Sequence, residues 1–415
     1  MTAPKLRFKE FYGDWKITVL GKLASHISYG LTVRPEYIDE GIKLISAREI
    51  ASGEIDLISA PKISTDDFEK LSDKAKPQKN DLFLSKTGSI GFTAIVDTDE
   101  ELAITQNIAV IRLNDMEKQI PLFYLHQMRT SSFQRKAISV VNQSTIMDLQ
   151  LGDIKKIEVS YCNDKEQTKI ASFLSAVDEK ISQLTQKHRL LCEYKQGMMQ
   201  KLFSQQLRFK ADDGSDFGEW EETTLKNCIT SIDSGWSPQC ESYSTNLNEW
   251  GVLKTTSVDW NGFNAYFNKK LPDKLTPRPE LEVQPLDILV TRAGPTDRVG
   301  VVAVVPEEVR SKLMISDKLI RLKANEKSNP IFLGISLSLV KCQNQLQSKT
   351  SGLAKSQTNI SQKILNDVLL TLPSKEEQTK IANFLSAINQ KIEVVAEQIE
   401  QAKVWKKGLL QQMFV

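Results

Sequence analysis

One stretch of this chain occurs twice. Glu166-Gln167-Thr168-Lys169-Ile170-Ala171-Ser172-Phe173-Leu174-Ser175-Ala176 returns 211 positions later as Glu377-Gln378-Thr379-Lys380-Ile381-Ala382-Asn383-Phe384-Leu385-Ser386-Ala387. The register then holds without a gap, Lys180-Ile181 with Lys391-Ile392, Gly197 with Gly408, and Phe203 with Phe414. A gapless match of this length marks a duplicated structural unit. In the first copy Ile170, Leu174, Val177, Ile181, Leu184, His188, Leu191, Lys195, Met198 and Leu202 fall on alternating steps of four and three. In the second, Ile381, Leu385, Ile388, Ile392, Val395, Ile399, Ala402, Lys406, Leu409 and Met413 do the same, and neither copy contains proline. This is a heptad seam, so each copy predicts one unbroken helix. At ~1.5 Å per residue each would be about 60 Å long. Asp164 and Ser374 suit the N-cap positions. Helices this long need a partner along their length, and each is the other's obvious candidate.

The chain divides accordingly into a head at 1–164, a helix at 165–206, a second head at 207–374 and a second helix at 375–415. The heads have short β-branched runs punctuated by Gly and Pro, at Ile42–Ser46, Asp81–Lys86, Phe92–Val96 and Ile108–Leu113, then at Val252–Thr256, Asp287–Arg292, Gly300–Val305 and Leu319–Lys323. These predict mixed α/β domains built on twisted sheet, with helices near Leu122–Met128 and Ile331–Val340. The fold class is α+β, pseudo-twofold. The two heads are separated by two long antiparallel helices that form an intramolecular coiled coil.

The antiparallel arrangement follows from a cyclic relation. After Phe203 the chain runs into Leu207-Arg208-Phe209-Lys210, and the N-terminus opens with Leu6-Arg7-Phe8-Lys9. The start of the chain therefore resembles what should follow its own end. The second helix must return to the first head, which brings the termini close in space.

Composition excludes little. A net charge of +2 neither requires nor forbids nucleic acid. Five scattered cysteines without a CxxC pair and three widely separated histidines give no metal-ligand spacing. No apolar run reaches the ~20 residues of a membrane span, so a cytoplasmic chain is expected. There is no phosphate loop, no GxGxxG after a strand, and no Asn-Pro-Pro-aromatic tetrapeptide for a flipped base. The chain reads as noncatalytic.

Three polar clusters recur at matching places in the heads. Tyr29, Thr32 and Arg34 match Ser234 and Trp236; Ser46 and Arg48 match Lys254 and Thr255; Lys86, Thr87 and Ser89 match Arg292, Thr296 and Arg298. Near the end of each head, Asn142 and Gln143 match Lys355 and Gln357. Basic, hydroxyl and amide groups in turns after strands suit phosphate oxygens and base edges, which makes these the candidate DNA-binding residues. Residues between seam positions are candidates for a subunit interface: Glu166, Gln167, Lys169 and Phe173, with Glu377, Gln378, Lys380 and Phe384.

The doubled E-Q-x-x-I-A-x-F-L-S helix start, the head–helix–head–helix order and the turns Lys79-Asn80-Asp81 and Pro285-Leu286-Asp287 resemble the specificity subunit of type I restriction–modification systems. That resemblance implies two target-recognition domains, each reading one half of a bipartite asymmetric sequence in double-stranded DNA. The helices would set the spacer between the halves. It implies two modification methyltransferase subunits and restriction translocase/nuclease subunits as partners. S-adenosylmethionine, ATP and Mg would be bound by those partners, with no cofactor or metal in this chain. The alternative is a coiled-coil interaction adaptor without DNA specificity.

Overall fold

A computed structural model describes residues 3–140, 147–348, 351–354 and 357–414, with backbone alone for 351–354 and 357. The chain forms two compact units, Met1–Arg189 with Glu393–Val415, and Leu190–Ile392. Each unit holds a head together with part of both long helices. A seam helix has no core of its own and is buried against whatever it packs on.

Unit 1 contains a four-stranded antiparallel sheet in the order Ala24–Tyr29, Ile108–Leu113, Leu82–Ser85, Thr93–Ile95. Side chains alternate across a strand, so one apolar run serves two cores. Leu82 and Leu84 join Trp15, Phe123 and Tyr124 on one face, while Phe83 joins Ile45, Ile104 and Val110 on the other. Beside it lies a three-stranded sheet, Lys62–Ile63, Ile42–Ile45 and Leu102–Ile104, whose last two strands run parallel. A ribbon of Lys16–Val19 with Glu158–Tyr161 closes the head.

Unit 2 repeats this plan strand for strand. Its four-stranded sheet runs Ile229–Ser234, Leu319–Ala324, Ile288–Thr291, Val302–Val304. Its three-stranded sheet is Asn268–Lys270, Gly251–Leu253 and Leu313–Met314, again with the last pair parallel, and Glu221–Thr224 pairs with Leu369–Leu372. Ile288 and Val290 face one core and Leu289 the other, as in unit 1. Unit 2 adds a hairpin, Val258–Asp259 with Gly262–Phe263, and a ribbon of Ala293–Gly294, Gln357–Asn359 and Ser351–Ala354.

The long helices span Asp164–Phe203 and Lys375–Met413. The cap of the first is Asn163, whose Oδ1 accepts from Glu166 N at 2.9 Å, rather than Asp164. Ser374 caps the second. In unit 1, Ile170, Leu174 and Val177 pack with Leu409, Met413 and Phe414, so the start of one helix lies against the end of the other. In unit 2, Leu202 packs with Ile381, Leu385 and Ile388, the reverse pairing. Both units therefore hold the helices antiparallel. The cyclic relation is also present: Leu6 N donates to Gln412 O at 2.8 Å, and Trp15 stands edge-on to Phe414. In unit 2 the same contact joins Trp220 to Phe203. Among the described residues, no helix is long and apolar enough to cross a membrane.

One buried group carries a pH dependence. His126, on the helix Pro121–Met128, is 1% exposed and neither ring nitrogen has a hydrogen-bond partner. Burial, then the charges of Arg129 and Lys406, pushes its pKa down to about 3. The unfolded chain, with an ordinary value near ~6.5, binds the proton more readily, so stability falls as pH drops below that value. The expected slope is about 1.4 kcal/mol per pH unit between about pH 6 and pH 4. Denaturant melts of wild type and His126→Phe should diverge across that window. Parallel curves would show that the ring does not titrate this way.

Candidate nucleic-acid interface

The two sheets of each unit meet at one short polar turn. In unit 1 the parallel-paired strand Leu102–Ile104 passes through Thr105-Gln106-Asn107 into the central strand Ile108–Leu113. Three loops fasten to that tripeptide. Leu31 N donates to Ile104 O at 2.8 Å and Gln106 N to Leu31 O at 2.9 Å. Thr105 N donates to Ile45 O at 3.0 Å, and Lys86 N to Asn107 O at 2.8 Å. The loops that begin after Tyr29, Ile45 and Ser85 thus converge, although they are distant in sequence. The approach at Gly30 is so close that a Cβ there would stand 1.8 Å from the carbonyl oxygen of Ile104.

Unit 2 builds the same convergence on Ser316-Asp317-Lys318. Trp236 N donates to Ile315 O at 3.1 Å, Arg292 N donates to Lys318 O at 2.8 Å, and Ser237 Oγ bonds Asp317. The Val252–Met314 pairing sets Lys254 beside the same turn. A Cβ at Gly235 would again be 1.8 Å from a carbonyl oxygen, that of Ile315. The frame is duplicated and its side chains are not: Thr-Gln-Asn in one, Ser-Asp-Lys in the other, with Gln106, Asp317 and Lys318 exposed.

The candidate residues fall into three groups. Thr32, Arg34, Arg48 and Ser89 are exposed and Tyr29 is 43% exposed, so these are open to a ligand. Trp236, Lys254, Thr255 and Arg292 are half-buried around the second turn, with the Arg278 guanidinium 4.1 Å from the Trp236 ring. Others already have partners inside the head. Lys86 is 8% exposed and pairs with Asp148 at 2.7 Å, which also accepts from Thr87 at 2.5 Å. Ser46 donates to Glu49 at 2.5 Å, Ser234 accepts from Gln362 at 3.2 Å, and Thr296 meets Thr358 at 2.9 Å. Arg298 pairs with Asp259 at 2.7 Å and holds that carboxyl below the usual carboxylate range. Lys86 and Arg298, both candidates for DNA contact, therefore hold ion pairs that fasten loops within their heads. Asn142, Gln143 and Lys355 lie outside the described residues, as does the side chain of Gln357. Among the described residues no group of His, Cys, Asp and Glu is arranged to hold a metal.

The repeated Glu-Gln pair has another role than a subunit contact. Glu166 and Glu377 are 0% exposed, and Gln167 and Gln378 are 1% exposed. Glu166 accepts from Arg7 at 2.7 and 2.8 Å and from the Trp15 indole at 3.2 Å. Glu377 accepts from Arg208 at 3.1 and 2.7 Å, and the Trp220 indole nitrogen finds no partner. The Gln167 amide bonds Lys118 O, Cys162 O and Ile120 N, and Gln378 repeats this with Lys327 O, Pro373 O and Asn329 N. These four residues clamp each helix start to its head and present no surface to another chain. Lys169 is exposed and pairs with Glu10 at 2.8 Å, while Lys380 reaches Asp212 at 2.6 Å. Phe173 and Phe384 are half-buried, 5.7 Å from Phe8 and 5.6 Å from Phe209. Removing one partner of a buried pair strands the other, so Glu166→Ala should cost about 3 kcal/mol. Glu377→Ala should cost about 1 kcal/mol less, because no indole hydrogen bond is lost there. Denaturant melts of the two variants would check both values, and equal losses would contradict the assignment.

Known proteins place this arrangement. The type I restriction modification DNA specificity domain matches the chain twice, at residues 37–191 and 264–404. Over 164 residues the chain is 43% identical to the EcoEI specificity subunit, from a type I restriction enzyme of Escherichia coli. That match spans 39% of this chain and 27% of the relative. A protein of Methanocaldococcus jannaschii described as a type I restriction enzyme MjaX specificity subunit is 30% identical over 424 residues, 98% of this chain and 94% of its own length. The crystal structure of a type I restriction–modification S subunit from M. genitalium has the same fold, with a TM-score of 0.63 at 16% identity over 100% of this chain and 99% of that one. Two matched specificity domains and a relative aligned almost end to end lead to one conclusion: the chain belongs to the type I restriction–modification DNA specificity family.

Proposed function

We propose that this chain is the noncatalytic reading subunit of a type I restriction–modification complex, with each unit reading one half of a bipartite asymmetric DNA target. The observation that carries this reading is the polar turn built twice on one frame with different side chains. A shared frame fixes how each head meets a groove, and divergent tips let the two half-sites differ. Gln106 and Asn107 carry amides of the kind that pair with adenine, and Lys318 a cation suited to guanine N7 and O6. Arg34 and Arg48 would fix register on phosphates without reading sequence.

The helix pair would set the unread spacer and carry two methyltransferase subunits, which bring S-adenosylmethionine. Restriction subunits would bring ATP and Mg. With a net charge of only +2, the chain alone should bind DNA modestly, and the enclosing subunits would supply the rest in the cytoplasm.

Mapping methylated sites for the complex carrying Gln106→Ala or Lys318→Ala tests the reading. Each change should relax one position in one half-site, by about 1–3 kcal/mol of discrimination. Relaxation of both halves by either variant, or of neither by both, would rule out the two-reader arrangement.

A further inference from the structure

Unit 1 contains a groove of about 750 Å³ between the turn at 52–54 and the two long helices. Five cations line it: Arg129, Arg189, Lys403, Lys406 and Lys407. The acids in its wall are Glu54 and Asp178, and Asp178 is shared by two of the cations, Arg129 at 3.7 Å and Lys406 in a short contact. Arg129 also donates to Gly53 O and to Thr93 O at 3.3 Å, which ties the head's loop to the groove floor. Lys403, which pairs with Glu400 at 2.8 Å, and Lys407 occupy exposed positions on the rim.

The fold does not demand these charges. The duplicated helix copy keeps the seam and Lys406, as Lys195, but replaces the other three helix cations of the groove. Positions 211 residues on from Asp178, Ser182, Gln186 and Arg189 hold Asn389, Glu393, Glu397 and Glu400. Positions 211 residues before Lys403, Lys406 and Lys407 hold Cys192, Lys195 and Gln196. The groove takes Arg189 from the first copy and Lys403, Lys406 and Lys407 from the second, and three of these four cations are acidic or neutral at the corresponding place of the other copy. A charge difference laid over a shared seam points to a ligand rather than to packing.

We infer that this groove binds the phosphate backbone of the DNA that adjoins the half-site read by unit 1. The inference rests on the DNA-reading function proposed above. Duplex DNA is favoured over an acidic protein because of where the groove begins. The exposed Arg48, beside the polar turn, is four residues from Ser52 on the groove wall. Four residues span at most ~14 Å. A strand leaving Arg48 therefore reaches the lysines' groove within about four base pairs, at ~3.4 Å per phosphate along one strand. The contact would be sequence-independent and would hold the unread spacer to one side of the molecule only.

The test uses the assembled complex and a duplex containing its own methylation site. Binding is measured against salt for wild type, for Lys403→Gln with Lys407→Gln, and for a control pair, Lys180→Gln with Lys391→Gln, two exposed lysines outside the groove. Each phosphate contact contributes about 0.9 to the slope of log K against log salt. The groove pair should make the slope shallower by roughly 1.8, leave the methylated sequence unchanged, and keep wild-type helicity and assembly. The control pair should leave the slope alone. An unchanged slope in the groove pair, or an equal change in the control, overturns the inference. So does loss of assembly by a folded groove variant, which would assign the groove to a protein. A wild-type complex that binds no site selectively would instead defeat the DNA-reading function itself.

Discussion

Gly30→Ala is expected to unfold unit 1 or bring it close to unfolding. The new methyl would stand 1.8 Å from Ile104 O and 2.3 Å from Ile104 C, both backbone atoms that cannot rotate aside. Relief requires the end of strand Ala24–Tyr29 to move off the polar turn. That breaks the Leu31 N–Ile104 O bond and uncouples the four-stranded sheet from its neighbour. A backbone clash of this depth belongs with the rare substitutions that cost more than ~4 kcal/mol, a large share of the ~5–15 kcal/mol that holds a domain folded. Gly235→Ala should act equally on unit 2, where Ile315 O stands in the same place. Gly197→Ala is the contrast. That glycine lies within a helix with nothing near its absent Cβ, so alanine should stabilise by up to ~1 kcal/mol. Hydrogen exchange of the Ile108–Leu113 amides reads the first effect directly. Protection as in wild type in Gly30→Ala would mean the close approach is not a constraint.

The parts of this molecule that were legible in the sequence are those that rest on local periodicity. The seam from Ile170 to Leu202 is buried or half-buried at each position its three–four spacing picks out, and its repetition exposed the second helix and the cyclic order. Strands with dense apolar runs, such as Leu82–Ser85 and Ile108–Leu113, were also readable. Ala24–Tyr29 was not, because Ala-Ser-His-Ile-Ser-Tyr offers few apolar residues and relies on its pairing with Ile108–Leu113. Leu102–Ile104 is three residues long and escaped for lack of length.

The candidate interface was half legible. Three matched polar clusters pointed to loops that the structure brings together, yet the turn on which they meet went unnoticed. Parallel pairing of Ile42–Ile45 with Leu102–Ile104 creates that meeting, and such pairing leaves no local trace. A polar tripeptide between two apolar runs, at Thr105–Asn107 and again at Ser316–Lys318, was the available signal. Long-range partners also changed roles. Nothing near Glu166 in sequence reveals that Arg7, 159 positions away, neutralises it. Nothing near Lys86 announces Asp148, nor does anything near Arg298 announce Asp259. Glu166, Gln167, Glu377 and Gln378, which read as docking groups, are therefore structural clamps, and Lys86 and Arg298 each hold an ion pair inside their head.

The strongest functional effect is expected from exchanging a whole head. Two units that share a frame, each with its own core and its own polar turn, should carry separable specificities. Residues 1–164 include the first turn and every loop fastened to it, while Ser316–Lys318 and its loops lie wholly in unit 2. The Glu166 clamp stays on the helix, so the donor head should supply the arginine and tryptophan that meet it, as Arg7 and Trp15 do here. The decisive measurement is the methylated sequence laid down by the complex after residues 1–164 are replaced with the corresponding head of another family member. One half of the target should change to the donor's and the other half should stay as it was. A target altered in both halves, or in neither, would contradict the account.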